Sequence, residues 1–302
     1  MSLVHQTNRV CFLFFLCLTP YLSSQASAIA KRKQLVRRFC EKRGLDRSLK
    51  KIDLSSNKLY VDDKHKFIYC HMPRTASTTW LGVLLPLNGN ARRNVHHRSH
   101  MRTLANYTTE QAFSRLRNYF KFVFVREPFQ RLLSAYKTTN YYKKKAVRVP
   151  PHISFPEFVR HLISNFETQR FTRRPKLMWK TIASECAPCH VDYNFIGHYK
   201  TLGRDANFVL KKLGVENRTK FPSWKPTNTS SEVTRYYNQL STEQRRALYE
   251  IMKDDYEMFG YPRVPTEWPG LTWKSDWTMN LLKCLWSEEI FVSFLVLMNR
   301  YT

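Results

Sequence analysis

Short apolar runs alternate with amphipathic stretches along this chain. Lys66 to Met72 (KFIYCHM), Lys121 to Val125 (KFVFV) and Tyr193 to Tyr199 (YNFIGHY) are compact groups of β-formers, each of strand length. Elsewhere apolar residues recur at helical spacing. Ala112, Phe113, Leu116 and Tyr119 share a face within Thr109 to Tyr119, and Phe129, Leu132, Leu133 and Tyr136 do so behind Pro128. Asp205 to Leu213 is a helix closed by Gly214, and Ser231 to Gln239 is another. Ser241 and Gln244 form a capping box for a helix that Gly260 stops after Phe259. Further helices are predicted at Gln34 to Lys42, at Trp80 to Leu85 before Pro86, at Pro156 to Ile163 behind Ser154, and at Pro175 to Ser184. Strands alternating with helices predict an α/β fold, with a mostly parallel central sheet flanked by helices.

Such sheets bind ligands at the carboxyl ends of their strands. Two turns stand there. After Met72 comes Pro73-Arg74-Thr75-Ala76-Ser77-Thr78-Thr79, small and rich in hydroxyls, leading into a helix. A helix N-terminus offers outward N–H groups to an anion, although Ser77 or Thr78 capping that helix explains the same residues. It is not a Walker loop, because GxxxxGK[ST] is absent. After Val125 comes Arg126, then Glu127 and Pro128, with Ser134 further along the same helix. An arginine at that position grips phosphate or sulfate, or pairs with Glu127 in an ordinary turn. If the two strands are neighbours, the turns hold the two ends of one bis-anionic ligand.

Composition narrows the partner. The chain has 302 residues, 43% hydrophobic, enough for a sizeable core. Its formal net charge of +27 and pI near 10.0 point to polyanions: nucleic acid, an anionic membrane surface, or an acidic small molecule or glycan. The N-terminus chooses among them. Val10 to Leu18 is an apolar run behind Arg9, shorter than the roughly 20 residues of a spanning helix. With Ala26-Ser27-Ala28 beyond it, residues 1–30 read as a signal peptide or a short signal anchor. Either places the bulk of the chain in the secretory pathway, so no nucleic-acid partner is expected. The sequons at Asn106, Asn217 and Asn228 agree with a lumenal location. Beyond the apolar run lie Cys40, Cys70, Cys186, Cys189 and Cys284, enough for two disulfides and one thiol. Cys186 and Cys189 have metal-hairpin spacing, but no second pair completes a zinc site, and no metal is expected. Residues 31–58 read as a basic stem, 59–266 as the main domain, and 267–302 as a Trp-rich C-terminal extension without an assigned role.

Three blocks in fixed order carry a family resemblance: CHMPRTASTTW, then YFKFVFVREPFQRLLSAYK, then CAPCHVDYNFIGHYKTLGRDANFVLKKLGV. With TLANYTTEQAFSRLRNY and LYEIMKDDYEMFGY, they make residues 40–266 resemble the Golgi carbohydrate sulfotransferases, the family containing the chondroitin and dermatan 4-O-sulfotransferases. The resemblance implies a P-loop-like sulfotransferase fold and 3′-phosphoadenylyl sulfate as donor. It assigns Arg74, Thr75, Ala76, Ser77, Thr78 and Thr79 to the donor's 5′-phosphosulfate, and Arg126 and Ser134 to its 3′-phosphate. Arg74 would also stabilise charge on the bridging oxygen, and His97 would be the catalytic base, with His96 and His100 as rivals. The implied acceptor is O4 of N-acetylgalactosamine in chondroitin or dermatan, an acidic glycan or proteoglycan. Glucuronate O3, terminal N-acetylgalactosamine, or a non-catalytic lumenal glycan-binding role are the alternatives. The implied location is the Golgi membrane with a lumenal catalytic domain, or secretion if the N-terminal segment is cleaved. Arg74 stands where many members have lysine, and Asn194 and Lys200 replace acidic residues usual in the third block.

Overall fold

The computed structural model describes residues 26–45, 48–55, 58–87, 89, 101–141, 153–167, 179–223 and 229–262. The N-terminal apolar run, His96, His97, His100, Asn228, Cys284 and the C-terminal extension lie outside these residues.

Among the described residues five strands make one sheet: β1 (Leu59–Asp62), β2 (Phe67–Cys70), β3 (Arg102–Thr103), β4 (Phe120–Val125) and β5 (Phe195–His198), in the spatial order β3-β1-β2-β4-β5. The three strands expected from the sequence are β2, β4 and β5. They neighbour one another and run parallel, with Phe67 opposite Phe120, and Phe122 opposite Phe195. Strand β1 runs antiparallel to β2 and β3 antiparallel to β1, so β3 points the same way as β2, β4 and β5, and the sheet is mostly parallel with β1 alone reversed. The reason is local. Only four residues separate β1 from β2, and a link that short can join only antiparallel strands. Asp62 fastens this turn by accepting from the backbone N–H of His65 at 2.8 Å.

Around the sheet lie helix α1 (26–42), α2 (Ser77–Leu87), α3 (Thr109–Asn118), α4 (Pro128–Tyr141), α5 (Phe155–Glu167), α6 (Ile182–Cys186), α7 (Leu202–Lys212), α8 (Thr229–Tyr237) and α9 (Thr242–Phe259). Of the predicted helix Pro175 to Ser184, residues 175–178 lie outside the described residues, and α6 begins at Ile182. Thr181 caps it by accepting from the Ser184 N–H, so Trp179 and Lys180 lie in the turn before it. The capping box at Ser241 and the left-handed Gly260 (φ 68°) bound α9 as its sequence predicts.

Strand alternation gives the sheet two unlike faces. One is aromatic: Phe67, Tyr69, Phe122, Phe124 and Phe195 meet Trp80 and Leu84 of α2 and Val209 of α7. The other is aliphatic: Ile68, Val123, Val125 and Ile196 meet Val36 and Phe39 of α1, Leu116 of α3, and Met258 of α9. Disulfides Cys40–Cys189 and Cys70–Cys186 close that second face. Each cysteine of the CxxC pair therefore has its own distant partner, which accounts for the spacing without a metal. Arg32 fixes α1 further, donating to the Ile196 carbonyl at 3.0 Å and to Asp205 at 2.6 Å. Residues 31–58 thus contribute Val36, Phe39, Cys40 and Ile52 to the core. Among the described residues no helix is long and apolar enough to cross a membrane.

Candidate active site

The turn after β2 is built from its backbone. Arg74 has φ 69° and Ala76 has φ 66°, with Thr75 between them. Side chains with a Cβ rarely occupy that left-handed region, and two such residues in three mark strain of the kind found at ligand sites. Alternation of this sort gathers successive N–H groups into an anion-binding concavity. The Thr75 hydroxyl donates to the Met72 carbonyl at 2.9 Å and closes the turn from inside. The Ala76 carbonyl accepts the first helical bond, from Trp80 N–H at 3.0 Å, which makes Ala76 the N-cap. Alanine has no side-chain oxygen to satisfy the first-turn N–H groups. Ser77 and Thr78 lie within α2 rather than capping it, with Ser77 buried, Thr78 exposed and Thr79 half-buried. Trp80 anchors the helix: it is fully buried, with its ring 5.3 Å from Phe122, 5.0 Å from Phe124 and 4.9 Å from Phe221.

The turn after β4 is built from side chains. Arg126 is only 3% exposed. Its Nη1 donates to the Arg74 carbonyl at 3.2 Å, and its guanidinium carbon lies 4.0 Å from the centre of the Tyr199 ring. Burial pushes the Arg126 pKa down, opposed by Tyr199. Glu127 is committed elsewhere. Its carboxylate accepts from Phe129 N–H at 3.1 Å and Gln130 N–H at 2.7 Å, capping α4, and also from the Tyr256 hydroxyl. Burial raises the Glu127 pKa. Phe129 stacks on Tyr237 at 4.4 Å, and the fully buried Arg131 stands 3.9 Å from Asp255, so the first turns of α4 are held in place.

The two turns meet. Arg74 donates to the Ser134 hydroxyl from Nε at 3.1 Å and from Nη2 at 3.0 Å. Arg74 of the first block and Arg126 and Ser134 of the second therefore form one chain of contacts. The parallel pairing of β2 with β4 places both turns at the carboxyl end of the sheet, because both strands end there. A buried guanidinium, a second arginine, a hydroxyl and an uncapped helix N-terminus together suit a ligand with two anionic groups.

Other predicted positions fall elsewhere. Asn194 accepts from Lys121 N–H at 2.8 Å and donates its own N–H to the Lys121 carbonyl at 2.8 Å. It fastens the start of β5, at the end of the sheet opposite the two turns. Lys200 is exposed in a short 3-10 turn beyond β5. Asn106 and Asn217 are both exposed. Sequence reasoning passed over Tyr199, because its place beside Arg126 depends on the register of β4 with β5. Glu127 was legible in part, as an acid ahead of a Pro-led helix.

The description "Sulfotransferase family" matches residues 57–262. Carbohydrate sulfotransferase 11 of Rattus norvegicus is 35% identical over 239 residues, 67% of this chain and 66% of the rat protein. Carbohydrate sulfotransferase 10 of Xenopus laevis is 31% identical over 274 residues, 78% of this chain and 76% of that protein. Carbohydrate sulfotransferase 9 of Homo sapiens is 30% identical over 269 residues, 76% of this chain and 59% of the human protein. The matches to the rat and human proteins thus span somewhat less than two thirds of those relatives. No solved structure matches. The family match takes in both turns and all five strands, and the chain belongs to the sulfotransferase family.

Proposed function

We propose that the chain is a carbohydrate O-sulfotransferase that moves a sulfuryl group from 3′-phosphoadenylyl sulfate to O4 of N-acetylgalactosamine in chondroitin or dermatan. One observation carries the reading: Arg74 and Arg126 of the two turns and Ser134 of α4, at the carboxyl end of the sheet, are joined by contacts of 3.0–3.2 Å. A donor with a phosphosulfate at one end and a phosphate at the other matches that pair of turns. The Arg74–Thr79 turn receives the 5′-phosphosulfate on backbone N–H groups and the α2 N-terminus. Within it, the Thr75 hydroxyl serves the turn itself, and the exposed Thr78 and half-buried Thr79 supply hydroxyls. Arg126 and Ser134 receive the 3′-phosphate.

The acceptor hydroxyl attacks sulfur as the bond from sulfur to the bridging oxygen breaks, and adenosine 3′,5′-bisphosphate leaves. Alignment and charge stabilisation do most of the work, as in phosphoryl transfer. Arg74 offsets charge on the leaving oxygen. As an arginine, with a pKa above about 12, it does so without giving up its proton. His97 takes the proton of the acceptor hydroxyl. The net charge of +27 suits an acidic glycan or proteoglycan as acceptor. The Golgi lumen is the compartment that fits the N-terminal run and the sequons.

The test is transfer of radiolabelled sulfate to desulfated chondroitin and dermatan, with linkage analysis of the product. The expected product is 4-sulfated N-acetylgalactosamine. Label at glucuronate O3 or on terminal N-acetylgalactosamine would reassign the acceptor. Glycan binding with no transfer would overturn the enzymatic reading. His97→Ala is expected to lower kcat at least ~100-fold with donor affinity unchanged, in line with general-base losses.

A further inference from the structure

Arg126 needs fixed partners. A guanidinium only 3% exposed holds one orientation only if its surroundings define it. Its Nη1 is placed by the Arg74 carbonyl. Glu127, its neighbour in sequence, holds the N-terminus of α4 and Tyr256. The guanidinium carbon lies over the Tyr199 ring, 4.0 Å from its centre.

Tyr199 reaches that position through the sheet. Strands β4 and β5 pair in parallel with Val125 opposite His198, so the residues that follow them, Arg126 and Tyr199, stand side by side. Gly197 permits the close spacing, since a Cβ there would sit 2.3 Å from the Phe124 ring. Asp205 holds the backbone around Tyr199 by accepting from His198 N–H at 2.9 Å and from the Thr201 hydroxyl at 2.7 Å. The ring also packs against the aromatic face of the sheet.

We propose that Tyr199 is a positioning residue for Arg126, and that its ring, by fixing the guanidinium plane, gives the site its selectivity for a nucleotide bearing a 3′-phosphate. Stacking engages the π face of the guanidinium, whereas a phosphate takes its in-plane N–H donors, so the two interactions are compatible. The inference rests on the reading of Arg126 as the 3′-phosphate ligand.

The experiment compares the affinities of the full chain for adenosine 3′,5′-bisphosphate and adenosine 5′-phosphate by titration calorimetry. The readout is their ratio. Tyr199→Leu is expected to lower the ratio ~10-fold, the scale of a desolvated cation–π contact, by weakening the bisphosphate alone. Tyr199→Phe, which keeps the ring, is expected to stay within ~2-fold of wild type. Pentafluorophenylalanine at position 199 keeps nearly the same shape and reverses the ring quadrupole, and is expected to behave as Tyr199→Leu does. Its comparison with Tyr199→Phe carries the test even if Tyr199→Leu fails to fold. Equal weakening of both nucleotides in Tyr199→Leu, or a wild-type ratio in the pentafluoro protein, would overturn the role of the ring. Arg126→Ala separates the two levels. If it collapses the ratio while the Tyr199 variants do not, the positioning role alone fails. If it keeps the wild-type ratio, the phosphate assignment fails and the proposal falls with it.

Discussion

The two turns sit side by side at the carboxyl ends of β2 and β4, and the features proposed to receive an anion are of opposite kinds in the two. The turn after β2 stores its function in the backbone: Arg74 and Ala76 are left-handed, and an alanine stands at the N-cap. The turn after β4 stores its function in side chains: Arg126 is buried, and Glu127 caps α4. The difference follows from what each turn must do. A capped α2 would have its N–H groups answered within the protein, so the first turn leaves its cap residue apolar. Helix α4 is capped, and its turn offers a cation instead. The first turn is therefore sensitive to side-chain bulk at positive φ, and the second to side-chain chemistry.

That contrast is testable. The largest effect is expected from Arg126→Ala, which should weaken adenosine 3′,5′-bisphosphate binding ~100-fold, the scale of a lost charge-assisted contact. Its unfolding free energy, measured in urea, should move by less than ~1 kcal/mol, because a costly buried cation goes with it. A large loss of stability would show that the second turn is structural.

Next comes Ala76→Val. A β-branched residue at φ 66° should cost ~2 kcal/mol of stability and weaken the bisphosphate in parallel, whereas Ala76→Gly should stabilise by ~0.5 kcal/mol. Val and Gly variants of equal stability in urea would remove backbone strain from the account of the first turn.

Glu127→Gln should give the smallest of the three main effects, a loss of ~1 kcal/mol, as an amide NH2 replaces one of the two carboxyl oxygens facing N–H and O–H groups. It should also change the pH dependence. Burial raises the Glu127 pKa above the ordinary 4.5, so the folded protein keeps this proton to higher pH than the unfolded chain. Its contribution is fully present below pH 4.5 and is lost as pH rises through the raised value. The variant has no such titration, and its stability should fall less steeply between pH 5 and 8. Parallel urea curves for wild type and variant across that range would contradict this account.

Much of this arrangement was legible in one dimension, and the limits are specific. Strands β2, β4 and β5 are dense runs of β-formers, so composition alone revealed them. Strand β1 is four residues ending in an acid, and β3 is two residues, too short for periodicity to register. Helix α9 announced itself through Ser241, Gln244 and Gly260, because caps are local chemistry. The start of α6 was misplaced, because Thr181 caps a helix of only five residues. Arg74, Arg126 and Ser134, which the fold brings into contact, stand out in the blocks that contain them, whereas Tyr199 carries no local signal.

By itself, then, the sequence determined strands β2, β4 and β5, most of the helices, and the two turns with the residue types proposed to grip a donor with two charged ends. Each of those follows from side-chain chemistry or spacing within a few residues. The tertiary structure decided which of them meet. It set β2 beside β4, so that Arg74 reaches Ser134, and β4 beside β5, so that Arg126 lies on Tyr199. It also showed that the backbone of the first turn is left-handed at two residues with side chains. Strand order, register and strain arise from packing between segments far apart in the chain. No local pattern of residues encodes them.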